Sequence, residues 1–442
     1  MLPRMELFEA LGPAIARDLS DRKNLLPVRL IVSESAPDEL ASALAVILSG
    51  RRAAVICDQR TRGIAGEACA SALRTKGFSA HRQVIPDRYD HPPVCDDVTK
   101  DSLAASLPEV DVIVGVGSGV MSDLAKWVAF ERGAECAVLA TAASMNGYAA
   151  ANVAPAIAGV KTLVHARAHR VIAADPNVLA AAPFELTSAG LGDVIAKTVS
   201  GADWIMNDIL FGEDYRAPIA NIFDHIQDRF LAVPEKIAAR DRDAIVALFE
   251  ALVFSGCAMT LQGSSLPASG GEHLISHTLD MRADTDGTSH DLHGRQVGIG
   301  TIFAAALYER IIALPEPRFS GAALPLDSAA WGKLAGSIAD HHKKQTARLA
   351  EAARRLSEPG VWLEVREAIA PALPRASWIK DVLERAGAAH RLSDIGVDRE
   401  HFAWTVQSCA QIRERFTSID LAWATGVLPG AIEPITNALL IE

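Results

Sequence analysis

The chain has 442 residues, 50% of them hydrophobic and 22% charged, which is enough apolar material for two domains, each with its own core. A formal net charge of -11 leaves no basic surplus to neutralise a nucleic-acid backbone, so nucleic acid is not expected as a partner. No stretch reaches the roughly 18 apolar residues of a membrane span, and no membrane partner is expected.

Residues 1–24 are charged and lack a long apolar segment, so they do not read as a secretory signal. Cys57, Cys69, Cys95, Cys136, Cys257 and Cys409 form no C-x-x-C pair, which points to free thiols and a cytoplasmic location. The first half then alternates. Residues 28–32 read as a strand, 37–48 as a helix, 53–57 as a buried strand ending in Asp58, and 61–76 as a helix. Residues 80–85 are a weaker strand and 102–107 a short helical piece. Alternation of this kind predicts parallel strands with helical crossovers, a Rossmann-like doubly wound sheet. Asp58, at the carboxyl end of its strand, suits either a ribose diol or the cap of the next helix.

Residues 111–126 form the central motif, Asp-Val-Ile-Val-Gly-Val-Gly-Ser-Gly-Val-Met-Ser-Asp-Leu-Ala-Lys. An apolar strand, three glycines (Gly115, Gly117, Gly119) and a helix from 120 to 132 aim bare N–H groups at one place. That geometry suits a phosphate or pyrophosphate, and it suits a plain tight turn equally well. Another apolar strand, 136–139, leads into Thr-Ala-Ala-Ser-Met-Asn-Gly-Tyr at 141–148.

Near Pro183 the pattern changes. Residues 218–230, 239–261, 297–313, 329–356, 362–369 and 401–415 all read as helices, with a Pro-rich loop at 314–327. The reading is therefore an α/β domain over 1–183 and an all-α domain over 184–442, divided between about 174 and 185. The cleft between them is the expected active site. Asp193 is expected at a helix start. His273 and His277 share a face if their segment is helical, and His293 follows. One carboxylate and two imidazoles suit a divalent ion, although a given histidine pair is more often surface or capped core. His290, His341 and His342 read as solvent-facing.

Six blocks in order then carry a resemblance. They are the glycine motif, 141–148, Ala-Gly-Leu-Gly-Asp with Lys197, Ser-Gly-Gly-Glu-His with His277, His-Gly-x-x-Val-Gly at 293–298, and Arg-Glu-Arg-Phe-Thr-Ser-Ile-Asp-Leu-Ala at 413–422. Together they resemble the sn-glycerol-1-phosphate dehydrogenases, within the superfamily of iron-containing alcohol dehydrogenases, glycerol dehydrogenase and dehydroquinate synthase. The resemblance implies the dehydroquinate synthase-like fold and an NAD(P)-linked, metal-dependent oxidoreductase. It implies that the domain over 1–183 binds the dinucleotide and the domain over 184–442 the metal and substrate. Its expected reaction interconverts dihydroxyacetone phosphate and sn-glycerol 1-phosphate or a related polyol phosphate. It implies that Asp193, His273 and His293 hold one divalent ion, zinc before nickel or iron. Asp58, Gly117, Ser118, Gly119, Asp123, Lys126, Thr141 and Ser144 would bind the NAD or NADP. His277, Asn146 and Lys197 would serve catalysis, with His277 as proton relay and Lys197 where some relatives carry a fourth ligand. A homo-oligomer is possible in such families.

Two departures matter. Asn146 and Ala150 stand where the family carries Asp and Ser. An amide can donate and accept but carries no charge, which favours an anionic substrate. Lys161 is the basic residue expected near its phosphate, or else merely flanks a strand. Two alternatives stay open: a dehydroquinate synthase-like lyase that uses NAD catalytically, separable by net NADH consumption, and a non-catalytic binding protein, separable by metal analysis.

Overall fold

The computed structural model describes Leu11 and residues 19–88, 91–222 and 224–441. Residues 1–24, read above as no secretory signal, lie largely outside them. The chain forms two compact units, Met1–Gly190 with Asn221–Ser264, and Leu191–Ala220 with Ser265–Glu442.

The first unit is built on six parallel strands: β1 (Arg29–Val32), β2 (Arg52–Asp58), β3 (Ser79–Ile85), β4 (Val112–Gly117), β5 (Glu135–Ala140) and β6 (Val171–Ala174). They lie in the order β1-β6-β5-β4-β2-β3. Both faces are covered, which is why the central strands read as unbroken apolar runs. Ala53, Val55 and Cys57 face one core with helices α1 (Ala36–Ile47) and α2 (Glu67–Thr75). Ala54 and Ile56 face the other, with α3 (Asp97–Ser106) and α4 (Gly119–Arg132). From β2 the chain steps outward to β3, then returns to the other side of β2 as β4 and continues to β5 and β6. The switch point therefore lies between the carboxyl ends of β2 and β4, where such sheets bind ligands. Cys57 pairs with Val116 there, so Asp58 and Gly117 stand side by side.

Two expectations in this unit change, and one feature was not anticipated. The helix at 61–76 contains a π-helical turn, Arg62–Gly66, before α2. The piece at 102–107 starts earlier, at Asp97, because Asp96 caps it by accepting from the Thr99 N–H at 2.7 Å. Residues 152–165 form two short antiparallel ladders, one of them pairing Ala156 with Lys161. Two-residue strands are too short to leave a periodicity.

A segment far along the chain completes this unit. Helix α5 (Phe184–Ile195) is followed by α6 (Lys197–Phe211) in the second unit, and then by Asn221–Ser264, which belongs to the first. Its long helix, α7 (Arg242–Gln262), packs on the turn at Asn146–Ala149. Thr260 Oγ1 accepts from the Ala151 N–H at 2.8 Å and donates to the Ala149 carbonyl at 2.9 Å. By length and hydropathy α7 is apolar enough to cross a membrane, but 94% of its most apolar 18-residue stretch is buried inside the protein. The division at residue 183 assigns this helix by sequence order, whereas its contacts group it with the sheet. The helix read at 218–230 is two short ones, Ala217–Ala220 and Asp224–Gln227. Ile219, Ile222, Ile226 and Phe230 are buried on both sides of the break, so the helical spacing survives it.

The second unit is helical among the described residues. Helix α8 (Gly271–Asp286) pairs with α9 (His293–Ile312), and α10 (Ala335–Leu356) and α11 (Ser418–Ala424) follow. The helix read at 401–415 ends sooner: Arg399–Ser408 gives way to a 3₁₀ turn, Cys409–Ile412, and Arg413 is extended. His342 is not simply solvent-facing, since its Nε2 lies 2.9 Å from the Leu324 carbonyl.

Candidate metal centre and dinucleotide site

Asp193 stands near the end of α5, not at a helix start. Gly190 and Gly192, which precede it, are helical residues of α5. A Cβ on Gly192 would lie 2.0 Å from the Gly294 carbonyl oxygen, so the residue is small to let α5 meet the start of α9. That contact sets Asp193 beside His293, the first residue of α9. Gly300 of α9 lies against the Glu272 backbone in the same way, which brings α8 and its His273 alongside.

One ligand atom from each of Asp193, His273 and His293 lies within 4.8 Å of the other two. Asp193 and His273 are buried and His293 is half-buried. His273 Nε2 is 3.4 Å from Asp193 Oδ1, and its Nδ1 lies 2.8 Å from Glu272 Oε1. His293 Nδ1 lies 2.8 Å from Ser276 Oγ, which also bonds Gln296 at 2.8 Å. Each imidazole is thus oriented through Nδ1 by a neighbour, the arrangement that accompanies metal ligation. Burial acts to lower the basicity of His273, but Asp193 and Glu272 outweigh it and raise the pKa to about 9. Two carboxylates around one buried imidazole favour a cation between them. The donor set therefore fits a divalent ion with an open position.

His277 is one turn after His273, and its ring stacks on His293 with centroids 5.1 Å apart. With Asp280 it forms a second close group that shares His293, and Asp280 Oδ1 also lies 3.0 Å from Nδ1 of the exposed His290. Lys197 is the first residue of α6 and is half-buried. Asp203 was missed as a positioning group. It accepts from the N–H of Gly271 (2.8 Å) and of Ser418 (2.7 Å), and from the Tyr308 hydroxyl. It joins the starts of α8 and α11, and burial together with Glu272 raises its carboxyl pKa. Only its proximity to the Ala-Gly-x-Gly-Asp block hinted at this.

In the first unit, Gly117 has φ +154°, Ser118 is extended and α4 starts at Gly119. Strand, turn and helix N-terminus stand at the switch point, as an anion site requires. Asp58 caps the following turn: its Oδ1 accepts from the N–H groups of Arg60 (3.0 Å) and Thr61 (2.7 Å) and from Thr61 Oγ1 (2.8 Å). Arg60 Nη1 stands 3.4 Å from its other oxygen.

The Lys126 side chain is fully buried. Its ammonium donates to the carbonyls of Gly147 and Asn152, each at 2.7 Å, and pairs with Asp123 Oδ1 at 2.9 Å. It is committed to holding the 147–152 loop, so any part it plays toward a cofactor is through that loop. Thr141 donates its N–H to the Gly117 carbonyl at 3.1 Å, tying the β5 end to the glycine turn. Ser144 Oγ lies 3.3 Å from the Tyr148 hydroxyl, which donates to the Ala142 carbonyl at 2.7 Å. Asn146 opens the 3₁₀ turn that follows and is half-buried. Ala150 is fully buried, and Lys161 stands half-buried on its hairpin.

Residues 31–183 match the family model described as iron-containing alcohol dehydrogenase. A glycerol-1-phosphate dehydrogenase [NAD(P)+] of Bacillus licheniformis is 27% identical over 91% of this chain and 90% of its own length. Another, from Bacillus velezensis, is 33% identical over 60% of this chain and 69% of its own. Among solved structures, a glycerol dehydrogenase from Schizosaccharomyces pombe superimposes with a TM-score of 0.62, at 14% identity, over 93% of this chain and 91% of that one. That last likeness concerns the fold alone.

Proposed function

The chain belongs to the glycerol-1-phosphate dehydrogenase family of iron-containing alcohol dehydrogenases, and on that premise we propose that it interconverts dihydroxyacetone phosphate and sn-glycerol 1-phosphate. It is an NAD(P)-linked, metal-dependent oxidoreductase, and the lyase alternative is not favoured. The observation that carries the reading is the convergence of Asp193, His273 and His293 from three helices.

When bound, the ion supplies a Lewis acid for the charge that develops on the substrate carbonyl, and the nicotinamide supplies the hydride. Asp193, His273 and His293 hold the ion, and zinc suits two imidazoles and one carboxylate. Glu272 and Ser276 fix the imidazole orientations. His277, stacked on His293, moves the proton to or from the substrate oxygen. The N–H groups of Gly117, Ser118 and Gly119 hold the pyrophosphate, and Asp58 meets the adenosine ribose. Asn146 and Lys161 are candidates for substrate contact, and Lys197 is a candidate for assisting catalysis.

A panel of polyols and ketose phosphates, read by nicotinamide absorbance with each metal restored in turn, tests the reading. Turnover is expected with the phosphorylated pair, and His293→Ala is expected to lower both metal content and rate by about tenfold or more. Full metal and full rate in that variant would refute the ligand assignment.

A further inference from the structure

The proposed substrate carries a phosphate, and the segment Arg413-Glu414-Arg415-Phe416-Thr417 presents two guanidinium groups that no carboxylate pairs with among the described residues. The 3₁₀ turn Cys409–Ile412 packs against α8, and Arg413 then leaves it in extended backbone, with φ −150° and ψ 153°. Arg415 follows two residues later. It donates through Nη1 to the Ser269 carbonyl and through Nη2 to Ser265 Oγ at 3.2 Å, both neutral acceptors. Ser269 lies four residues before His273, so Arg415 grips the chain that leads directly into the metal-binding helix.

The acids around Arg415 are engaged elsewhere. Asp203 takes the Gly271 and Ser418 N–H groups and the Tyr308 hydroxyl. Glu213 pairs with Arg348. Glu272 accepts from the Gly270 N–H at 2.7 Å and faces His273. Arg413 has less still. It makes no hydrogen bond or ion pair among the described residues, and the charge acting on it is the like charge of Arg415. Burial, with that repulsion, pulls its pKa down to about 10. Yet the residue keeps partial solvent access. A guanidinium hemmed in by protein, next to a second one and without a counter-ion, is unfavourable in isolation. A dianionic oxyanion relieves both the desolvation and the repulsion, and the planar fork of arginine matches phosphate geometry.

We propose that Arg413, together with Arg415, holds the phosphate of the substrate, an assignment that rests on the polyol-phosphate reading above. Lys161, the basic residue expected from sequence, is the competing site.

The metal-loaded enzyme and its Arg413→Gln, Arg413→Lys and Lys161→Gln variants are compared on dihydroxyacetone phosphate and dihydroxyacetone, and inorganic phosphate binding is measured by calorimetry. Arg413→Gln is expected to lower the ratio of the two specificity constants by about 30-fold or more, chiefly through KM for the phosphorylated ketose, and to abolish phosphate binding. Arg413→Lys, which keeps the charge and loses the fork, is expected to recover part of both and so to exclude simple misfolding. An unchanged ratio in Arg413→Gln, or a collapse in Lys161→Gln instead, overturns the assignment and leaves the dehydrogenase intact. A wild type that ignores phosphorylated ketoses, yet binds phosphate only when Arg413 is present, overturns the polyol-phosphate reading and keeps Arg413 as an oxyanion site.

Discussion

Glu272 shows how a single side chain conditions the metal set. Its Oε1 accepts from the Gly270 N–H and lies 2.8 Å from His273 Nδ1, so it fixes both the helix start and the imidazole. Glu272→Gln is expected to weaken metal affinity roughly ten- to hundredfold. Competition with a chelator measures it, and an unchanged affinity would mean that His273 orients without its neighbour. Asn146 is the residue proposed to set the preference for substrate charge. A carboxylate there accepts from the hydroxyls of a neutral diol and repels an anionic group, whereas the amide does not repel. Asn146→Asp is expected to shift selectivity toward unphosphorylated polyols by roughly 1–3 kcal/mol in the ratio of specificity constants. Kinetics with glycerol and glycerol 1-phosphate read it directly, and an equal ratio in both proteins counts against the idea. The grouping of Asp193, His273 and His293 was legible because they sit in spaced blocks of distinctive residue types. Lys126 was not, since a motif names a lysine without saying whether its ammonium faces a ligand or three carbonyls.

At the scale of elements, periodicity identified β2, β4 and β5 well, because a strand buried on both faces leaves an apolar run that little else produces. It failed where the chain departs from regular geometry while keeping its apolar spacing. The division into Ala217–Ala220 and Asp224–Gln227 and the 3₁₀ turn after Ser408 are both of this kind. Helical glycines misled differently. Gly192 belongs to the block read as a helix start at Asp193, yet it stands inside α5 and serves contact with α9. Gly192→Ala is expected to force the two helices apart, moving Asp193 from His293. Metal content is expected to fall about tenfold or more, and stability by roughly 1–3 kcal/mol. Metal analysis alongside denaturant unfolding checks both. A variant that loses stability but keeps its metal would show that α5 adjusts without moving its carboxylate.

For the molecule as a whole, sequence order and spatial grouping diverge at Asn221–Ser264, because α7 is apolar on every side and its burial partners lie in the first unit. Composition revealed a core helix but not which core. The charge content also conceals a group that ties the first unit's stability to pH. His169, just before β6, is fully buried, with Nε2 3.0 Å from Ser122 Oγ and Nδ1 without a partner among the described residues. Burial, and secondarily the Lys126 charge, hold its pKa well below the ordinary value, so the folded protein keeps this imidazole neutral. An unfolded chain protonates it below about pH 6.5. Below that pH the unfolded state binds the extra proton, so stability falls as pH falls, by about 1.4 kcal/mol per pH unit from this one group. Its contribution is fully present above the unfolded pKa and is lost on acidification. Carboxylates add their own slopes, so the test is a difference. Denaturant unfolding of the wild type and His169→Gln is compared at pH 7.5 and 5.5. The gap between the two is expected to narrow, or to reverse, toward pH 5.5, since glutamine takes up no proton. A gap that stays constant across that range would mean that His169 is protonated in the folded protein after all.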